Sequence, residues 1–258
     1  MRTLIAGAGS GLGRAIGREL AQRGHDLILV AGDELGLVAE AGHLATCFGV
    51  KVDVLTVDAR WPEAFRKTLA KAIEDGDLDN LICTIGAWRD GDEVGSDGRT
   101  MRELFEINVF AVIATVSIAL PKLRAANAGN IVGIGSIAAI RGRPENVAYA
   151  AAKRALESYF ESLIGSVART GICIQFYRLG FLDTPAANAK IADWLKGDHR
   201  KIAAAVVGNF GKNFVGRYLP RYWRLVAWVI AMTPNKLFLA IAMRHRQAQG
   251  GKSPRQER

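Results

Sequence analysis

Cysteine is scarce in this sequence, and its spacing indicates neither a metal centre nor a disulfide framework. The chain has three cysteines, Cys47, Cys83 and Cys173, an odd number with no closely spaced pair. We therefore interpret them as small buried hydrophobic residues in a reducing compartment. A basic segment followed by a long apolar stretch is also lacking before Gly7, which argues against a signal peptide. These absences predict a cytoplasmic protein without a bound metal.

Acidic residues are nearly absent from the C-terminal part of the chain. From Arg217 onward there are nine Lys or Arg residues and one acid, Glu257, whereas the preceding residues hold 25 basic and 24 acidic residues. The net charge of +9 is thus +8 in the tail and +1 in the body. A nucleic-acid enzyme more often carries a basic face across its folded domain. We expect no nucleic-acid partner for the body, and the tail needs its own explanation.

The rest of the sequence fits one large α/β domain. Half of the 258 residues are hydrophobic and 28 are glycine, which suits a packed core with tight turns. Apolar runs typical of buried strands alternate with helical patterns. Strands are predicted at residues 2–6, 26–31, 50–57, 79–85, 131–134, 172–177 and 213–218, and helices at 36–47, 62–74, 100–126, 146–169 and 200–209. The alternation predicts a doubly wound, Rossmann-like parallel sheet of about seven strands in three α/β/α layers.

A glycine-rich turn follows the first predicted strand. Its sequence is Gly7-Ala8-Gly9-Ser10-Gly11-Leu12-Gly13, and an amphipathic helical pattern follows it. A strand, a glycine turn and a helix N-terminus present backbone N–H groups to a diphosphate. Glycine allows both the tight bend and a close approach of the ligand. The stretch predicts a dinucleotide site.

The ends of the second and third predicted strands bear on the choice of dinucleotide. Dinucleotide folds commonly have an acid at the end of the second strand, where this sequence has Ala31. A 2′-phosphate would not be repelled there, which favours NADP(H) over NAD(H), with Arg14 as a nearby cation. Asp33 could instead bond a ribose hydroxyl. Asp58, after the third strand, could accept a hydrogen bond from an adenine amino group or cap the helix that begins near Pro62.

A tyrosine and a lysine stand four residues apart in the helical pattern after the fifth strand. Tyr149 and Lys153 therefore share one helix face, and a nearby cation lowers the pKa of a phenol from its usual value of about 10. Ser136 follows the fifth strand, where open parallel sheets place their ligands. Asn108 lies among apolar helix residues, and a buried amide needs partners, either backbone groups or a water in a proton path.

Together these residues resemble the short-chain dehydrogenase/reductase family over residues 2–219. The glycine turn, Ser136 placed 13 residues before Tyr149, the Tyr-x-x-x-Lys motif, Asn108 and Asp58 match family elements in order. Two stretches depart from the family. Cys83-Thr84-Ile85-Gly86 stands for Asn-Asn-Ala-Gly, and Arg178-Leu179-Gly180 stands for Asn-Pro-Gly.

The resemblance implies an NAD(P)-dependent oxidoreductase acting on a carbonyl or secondary alcohol, assembled as a homodimer or homotetramer. Tyr149 would be the general acid–base, Ser136 would bond the substrate oxygen, Lys153 would hold the nicotinamide ribose, and Asn108 would fix a water. A non-catalytic sensor or scaffold and an NAD-dependent epimerase or dehydratase stay open. Cofactor contacts are implied for Gly7, Gly9, Ser10, Gly11, Leu12, Gly13, Ala31, Asp33, Asp58, Ala59, Gly86, Tyr149, Lys153, Gly180, Leu182 and Thr184.

The sequence predicts three regions: a catalytic dinucleotide-binding domain over residues 1–219, a basic amphipathic helical extension over 220–246, and a disordered end over 247–258. Residues 86–99 and 181–200 are predicted to line the substrate pocket, and the substrate itself is not indicated. The apolar run Leu225–Met232 is far shorter than the roughly 20 residues that span a bilayer, and Pro234 interrupts its continuation.

Three hypotheses stay open for the tail. It could close over the pocket or form a subunit interface, bind nucleic acid, or place residues 217–246 on an anionic membrane as a peripheral protein of the inner face. The tail resembles those of reductases of bacterial envelope sugars and lipids.

Overall fold

The computed structural model describes residues 1–74, 76–89, 92–93, 98–183 and 192–240. Seven strands form one sheet: β1 (Arg2–Ala6), β2 (Asp26–Ala31), β3 (Val52–Thr56), β4 (Asn80–Cys83), β5 (Gly129–Ser136), β6 (Ile172–Leu179) and β7 (Phe214–Leu219). All neighbours are parallel, in the order β3-β2-β1-β4-β5-β6-β7. The order reverses between β1 and β4, where open parallel sheets place ligands outside the carboxyl ends of the strands.

Eight helices lie within the described residues: α1 (Gly11–Gln22), α2 (Glu34–Phe48), α3 (Pro62–Glu74), α4 (Gly98–Phe105), α5 (Ala111–Ala126), α6 (Val147–Ser166), α7 (His199–Val207) and α8 (Trp223–Met232). A π-helical turn, Glu106–Phe110, joins α4 to α5, and 3₁₀ turns occupy Ile137–Ile140 and Asp193–Leu195. Residues 235–240 are also helical.

Two hydrophobic layers enclose the sheet, one on each face. Buried residues of α3, α5 and α6 pack on one face, and those of α1, α2 and α7 pack on the other. The central strands are therefore apolar on both faces, as strands of parallel sheets are. The predicted doubly wound α/β fold is confirmed.

The observed ends of several strands and helices differ from the predicted ones, because local sequence pattern locates the ends of elements poorly. The predicted strand 79–85 is reduced to Asn80–Cys83, and the predicted strand 131–134 is extended to Gly129–Ser136. Ser136 is thus the last residue of β5. The predicted helix 100–126 begins at Gly98 and contains the π-helical turn, an insertion that apolar periodicity does not reveal.

The expected burial of the cysteines holds for one of the three. Cys83 is buried, whereas Cys47 is exposed and Cys173 is intermediate. Cys47 lies on the outer surface of α2 and Cys173 lies near the start of β6, where neither is enclosed by a second layer.

The segment Gly98–Ala126 is long and apolar enough to cross a membrane by length and composition alone. Its apolar residues include Leu104, Val112, Val116 and Leu123, which are buried in the folded domain. These residues pack the segment into the core of the α/β domain.

Candidate active site

Ser136 and Tyr149 meet at the carboxyl end of the sheet. Ser136 ends β5, and Tyr149 lies in the first turn of α6. The Ser136 side chain is close enough to the Tyr149 phenol to affect its pKa, and the Ser136 Oγ accepts from the Ala138 N–H at 3.1 Å. Lys153 lies one turn further along α6, with its Nζ 5.9 Å from the centre of the Tyr149 ring. The structure therefore brings these three predicted residues together.

Burial changes the proton affinity of this cluster. Desolvation raises the pKa of Tyr149, and the nearby Ser136 side chain opposes this change. Desolvation lowers the pKa of Lys153 to about 8, with the nearby Cys83 opposing it. The expected lowering of the Tyr149 pKa is not found in the protein alone, because the loss of water around the phenol outweighs its polar contacts.

Asn108 is buried in the π-helical turn and is held by backbone groups. Its Nδ2 donates to the Ala87 carbonyl at 2.8 Å and to the Leu104 carbonyl at 2.9 Å, while its Oδ1 accepts from the Ala87 N–H at 3.2 Å. A methyl group added at Gly86 would lie 3.1 Å from the Lys153 Nζ and 3.2 Å from the Asn108 Oδ1. Lys153 and Asn108 thus converge beside Gly86, and Lys153 also donates to the Ile134 carbonyl at 3.3 Å.

The glycine turn has the geometry of a phosphate cradle. Gly7 has a φ of +96°, which disfavours a side chain, and a Cβ at Gly13 would overlap the Gly7 carbonyl. Ser10 caps α1, since its Oγ accepts from the Gly13 N–H at 3.0 Å and donates to the Gly7 carbonyl at 2.9 Å. The remaining N–H groups at the start of α1, including those of Gly11 and Leu12, could bind an anion there.

Thr84 braces the cradle from β4. Its Oγ1 donates to the carbonyl of Gly7 at 3.0 Å and contacts that of Ala6 at 3.2 Å. Thr84 therefore links the ends of β1 and β4 at a position where the family has asparagine. Residues 84–86 join the cradle on one side to the Lys153 and Asn108 cluster on the other.

The ends of β2 and β3 carry two arginine–carboxylate pairs. Arg14 donates to the Gly9 carbonyl at 3.2 Å, and its Nη2 lies 3.8 Å from the Asp33 Oδ2. Asp33 also caps α2 through the Gly36 N–H. A methyl group at Gly9 would lie 3.2 Å from the Cβ of Ala31, so that small side chain leaves room for the cradle.

Asp58 pairs with Arg60 rather than with the start of α3. The carboxylate accepts from the Arg60 N–H at 2.8 Å and lies 2.6 Å from its guanidinium. This hydrogen bond lowers the pKa of Asp58. Asp58 is therefore ionised beside the partly buried Ala59. These contacts do not support the alternative prediction, in which the Asp58 side chain caps α3.

Two polar residues near the site were not found from the sequence. Asp92 is fully buried, and its carboxylate accepts from the N–H groups of Ala148 and Tyr149 at 2.8 Å each. His199 begins α7, and a methyl group at Gly11 would lie 3.1 Å from its Nε2. No sequence signal points to Asp92. Asn146, the residue before α6, makes no side-chain capping bond, and only the fold shows that the Asp92 carboxylate bonds the first N–H groups of the helix.

The remaining predicted contacts lie after β6. The Trp223 indole packs directly against Gly180, where a Cβ would overlap it, and the Phe181 and Trp223 rings are 5.7 Å apart. Leu182 forms a parallel bridge with Gly197. Thr184 lies outside the described residues, as do residues 90–91, 94–97 and 185–191 of the predicted pocket loops.

Comparison with known proteins identifies relatives of this chain. The family model described as short chain dehydrogenase matches residues 2–194. The chain is 27% identical over 226 residues to the rat (Rattus norvegicus) inactive hydroxysteroid dehydrogenase-like protein 1, covering 85% of this chain and 68% of the relative. It is 29% identical over 207 residues to the 3-oxoacyl-acyl-carrier-protein reductase of Escherichia coli K12, covering 80% of this chain and 83% of the relative.

Among solved structures, the chain is similar to a short-chain dehydrogenase from Sphingobium yanoikuyae in complex with NADPH. The TM-score is 0.77 at 24% identity, covering 100% of this chain and 98% of the other. That likeness concerns the fold, whereas the match over residues 2–194 concerns the sequence. The chain therefore belongs to the short-chain dehydrogenase family.

Proposed function

We propose that this protein is a nicotinamide-dependent oxidoreductase that interconverts a carbonyl and a secondary alcohol. The proposal rests on one observation: Ser136, Tyr149 and Lys153 lie together at the carboxyl end of the sheet. Residues 84–86 connect this cluster to the glycine turn. A proton donor, an oxygen ligand and a cation are thereby gathered beside a predicted dinucleotide site.

Each side chain has a separate task in the proposed reaction. The Tyr149 hydroxyl gives a proton to the substrate oxygen in reduction and takes it back in oxidation. Ser136 donates a hydrogen bond to that oxygen and stabilises its developing charge. Lys153 holds the nicotinamide ribose and so orients the cofactor. A bound nicotinamide would supply or accept the hydride.

Asn108 has a supporting task in this proposal. Its Nδ2 donates to the carbonyls of Ala87 and Leu104 and its Oδ1 accepts from the Ala87 N–H, so it holds the Gly86 segment against Lys153. The proposed water contact of Asn108 would use its Oδ1, which accepts only one bond from the described residues and has a second lone pair.

The proposed test of Tyr149 uses a second tyrosine of α6 as its control. Tyr149→Phe removes the proton donor and should lower NAD(P)H-dependent activity at least ~100-fold, within the range of general acid–base catalysis. Tyr159→Phe changes a hydroxyl that lies beside Ser117 instead of Ser136 and should keep near wild-type activity. Retention of most activity in Tyr149→Phe would refute the acid–base assignment.

For the cofactor we propose a preference for NADP(H). Ala31 offers no carboxylate, and the Nη2 of Arg14, on α1, lies 3.8 Å from the Oδ2 of Asp33, which follows β2. The Sphingobium relative was solved with NADPH. Fluorescence titration of Arg14→Ala should show weaker NADPH binding with little change for NADH, because only NADPH carries the 2′-phosphate. Equal losses for both would contradict the preference.

The substrate class is to be found by a screen of keto-sugars, keto-lipids and ketosteroids with NADPH and NADH. The resemblance to envelope sugar and lipid reductases that the sequence of the tail suggests, which the comparisons do not show, would favour the first two groups. Trp88 is exposed on the described part of the pocket loops and offers a flat apolar surface to such a substrate.

A non-catalytic role is the competing proposal, because several relatives, the rat protein among them, are named as inactive. A sensor or scaffold would bind NADPH without turnover, whereas an epimerase or dehydratase would retain its cofactor and show no net oxidation of added NADPH. Net NADPH oxidation with any carbonyl of the screen supports the oxidoreductase. Cofactor binding without oxidation across the whole screen would favour the alternatives.

A further inference from the structure

Helix α8 buries one face and exposes large apolar residues on the other. Trp223 and Ala227 are buried against the body. On the outer face the exposed fractions are 68% for Leu225, 63% for Trp228, 57% for Val229 and 66% for Met232. These positions are spaced as i, i+3, i+4 and i+7, so they form one continuous stripe along the helix.

Two more large apolar residues are exposed after the break at Pro234. Leu237 and Leu239 in the helical residues 235–240 are 55% and 51% exposed. We call Leu225, Trp228, Val229, Met232, Leu237 and Leu239 the outer apolar patch. Soluble proteins rarely expose so many neighbouring large apolar side chains without a binding role.

The charged residues that α8 and its flanking segments place beside this patch are basic, whereas Glu157 and Glu161 of α6 line the same cleft as Arg224 and Trp228. Arg221, Arg224 and Lys236 are exposed beside it. The sequence has no Asp or Glu between Asp198 and Glu257, so the helix and its flanks carry only positive charge. Tryptophan beside arginine on an amphipathic helix is typical of the boundary between lipid headgroups and acyl chains.

Arg141 connects the segment that carries the patch to the catalytic domain. The Arg141 guanidinium donates to the Ile230 carbonyl at 3.0 Å and bonds the Thr233 carbonyl and the Asn235 Oδ1. It also lies 4.2 Å from the centre of the Phe238 ring. Since Arg141 follows the 3₁₀ turn that begins after Ser136, the segment borders the active-site end of the sheet.

We propose that the outer apolar patch, with Arg221, Arg224 and Lys236, docks on the surface of an anionic lipid bilayer. The apolar stripe enters the headgroup boundary, and the arginine and lysine side chains contact lipid phosphates. The attraction of anionic lipids adds to the burial of apolar area. This favours the membrane hypothesis for the tail over a pocket cover alone. The inner face of α8 is buried against the body, whereas its outer apolar face is exposed.

A second copy of the chain fits this surface less well. A symmetric contact would bring the same patch of both subunits together, and all charged residues that α8 and its flanks would contribute to it are basic. Like charges would then face each other across the contact. An anionic lipid surface neutralises the same rim.

Co-sedimentation of the full chain with lipid vesicles tests the proposal. Vesicles of phosphatidylcholine alone are compared with vesicles of phosphatidylcholine and phosphatidylglycerol. We expect binding to the anionic vesicles, reduced by salt. The double variant Trp228→Ser, Met232→Ser should lower the partition coefficient at least ~10-fold, since two large apolar side chains no longer enter the boundary. NADPH binding and circular dichroism should match wild type, because both residues are exposed.

A matched control uses another exposed tryptophan. Trp61 is 68% exposed at the start of α3, so Trp61→Ser removes a similar apolar area elsewhere and should leave vesicle binding unchanged. Equal pelleting of wild type and the double variant would overturn the proposal, and so would equal binding to neutral and anionic vesicles. A wild-type dimer in sedimentation velocity that becomes monomeric in the double variant, with no vesicle binding by either, would assign the patch to a second copy instead.

Discussion

Replacing Asp92 by alanine removes a buried carboxylate from the start of the helix that carries Tyr149. Asp92 and Tyr149 are 57 residues apart in sequence, yet the carboxylate accepts from the N–H groups of Ala148 and Tyr149 at 2.8 Å each. The Val147 N–H donates to the backbone carbonyl of Asp92 at 3.2 Å, and this bond survives the substitution. Asp92→Ala therefore tests the carboxylate alone.

The expected loss of stability follows from the two N–H groups left without an acceptor. A buried unsatisfied donor costs about 1–3 kcal/mol, and loss of a helix N-cap costs about 0.5–2 kcal/mol. Water can enter beside the partly exposed Tyr149, so we expect the free energy of unfolding to fall by about 2 kcal/mol. For a chain of this size the melting temperature should fall by about 4–8 °C.

The expected effect on catalysis is larger than the stability change alone would give. The first turn of α6 positions the Tyr149 hydroxyl against Ser136, and a shift of about 1 Å in a reacting group can cost ~100-fold in rate. We expect kcat to fall at least ~10-fold, with the cofactor KM nearly unchanged because the glycine turn lies on a different element. Asp92→Asn keeps one acceptor oxygen and should be intermediate.

The assay combines kinetics on the best carbonyl of the screen with thermal unfolding and hydrogen exchange. Exchange at the amides of residues 148–149 should accelerate in Asp92→Ala. Asp79→Ala is the control, since the Asp79 carboxylate accepts from the Arg2 N–H at 2.6 Å at the opposite end of the sheet. It should leave kcat unchanged. If Asp92→Ala lost stability but kept wild-type kcat, the carboxylate would be a cap without a positioning role.

Two further predictions concern Lys153 and Gly180. The pKa of Lys153 is lowered to about 8 from an ordinary 10.5, so the unfolded chain binds more protons between these pH values and stability rises with pH across that window. In chemical denaturation, Lys153→Met should therefore be more stable than wild type below pH 8, with the difference vanishing near pH 10.5; a pH-independent difference would contradict the buried charge. Gly180→Ala should displace the Trp223 indole and loosen α8, which is measured as faster trypsin cleavage at Arg221 and Arg224. Gly142→Ala, with open space around the added methyl, should cleave at the wild-type rate, and equal rates for all three proteins would show that Trp223 does not anchor the helix.

The alternating pattern of strands and helices was sufficient to predict the fold, because it depends on periodicities within short windows. The sequence also located Ser136, Tyr149 and Lys153. Tyr149 and Lys153 are one helical turn apart, and Ser136 ends a strand, so local geometry brings them to the same edge of the sheet. The glycine turn was recognisable for the same reason.

Other features depend on contacts between residues far apart in sequence. The bonds of Asp92 to α6 and the packing of Trp223 on Gly180 arise only when separate loops and helices meet. The π-helical turn that holds Asn108 is likewise set by the packing around α4 and α5. No local pattern encodes these contacts.

The pKa values of Tyr149 and Lys153 separate most clearly what the sequence determines from what the tertiary structure decides. From the sequence, Lys153 was expected to lower the pKa of Tyr149 by its charge alone. In the folded chain desolvation acts on both groups, raising the pKa of Tyr149 and lowering that of Lys153. The sequence determined which chemical groups lie at the site, whereas tertiary packing decided how much water each one keeps, and hence its proton affinity.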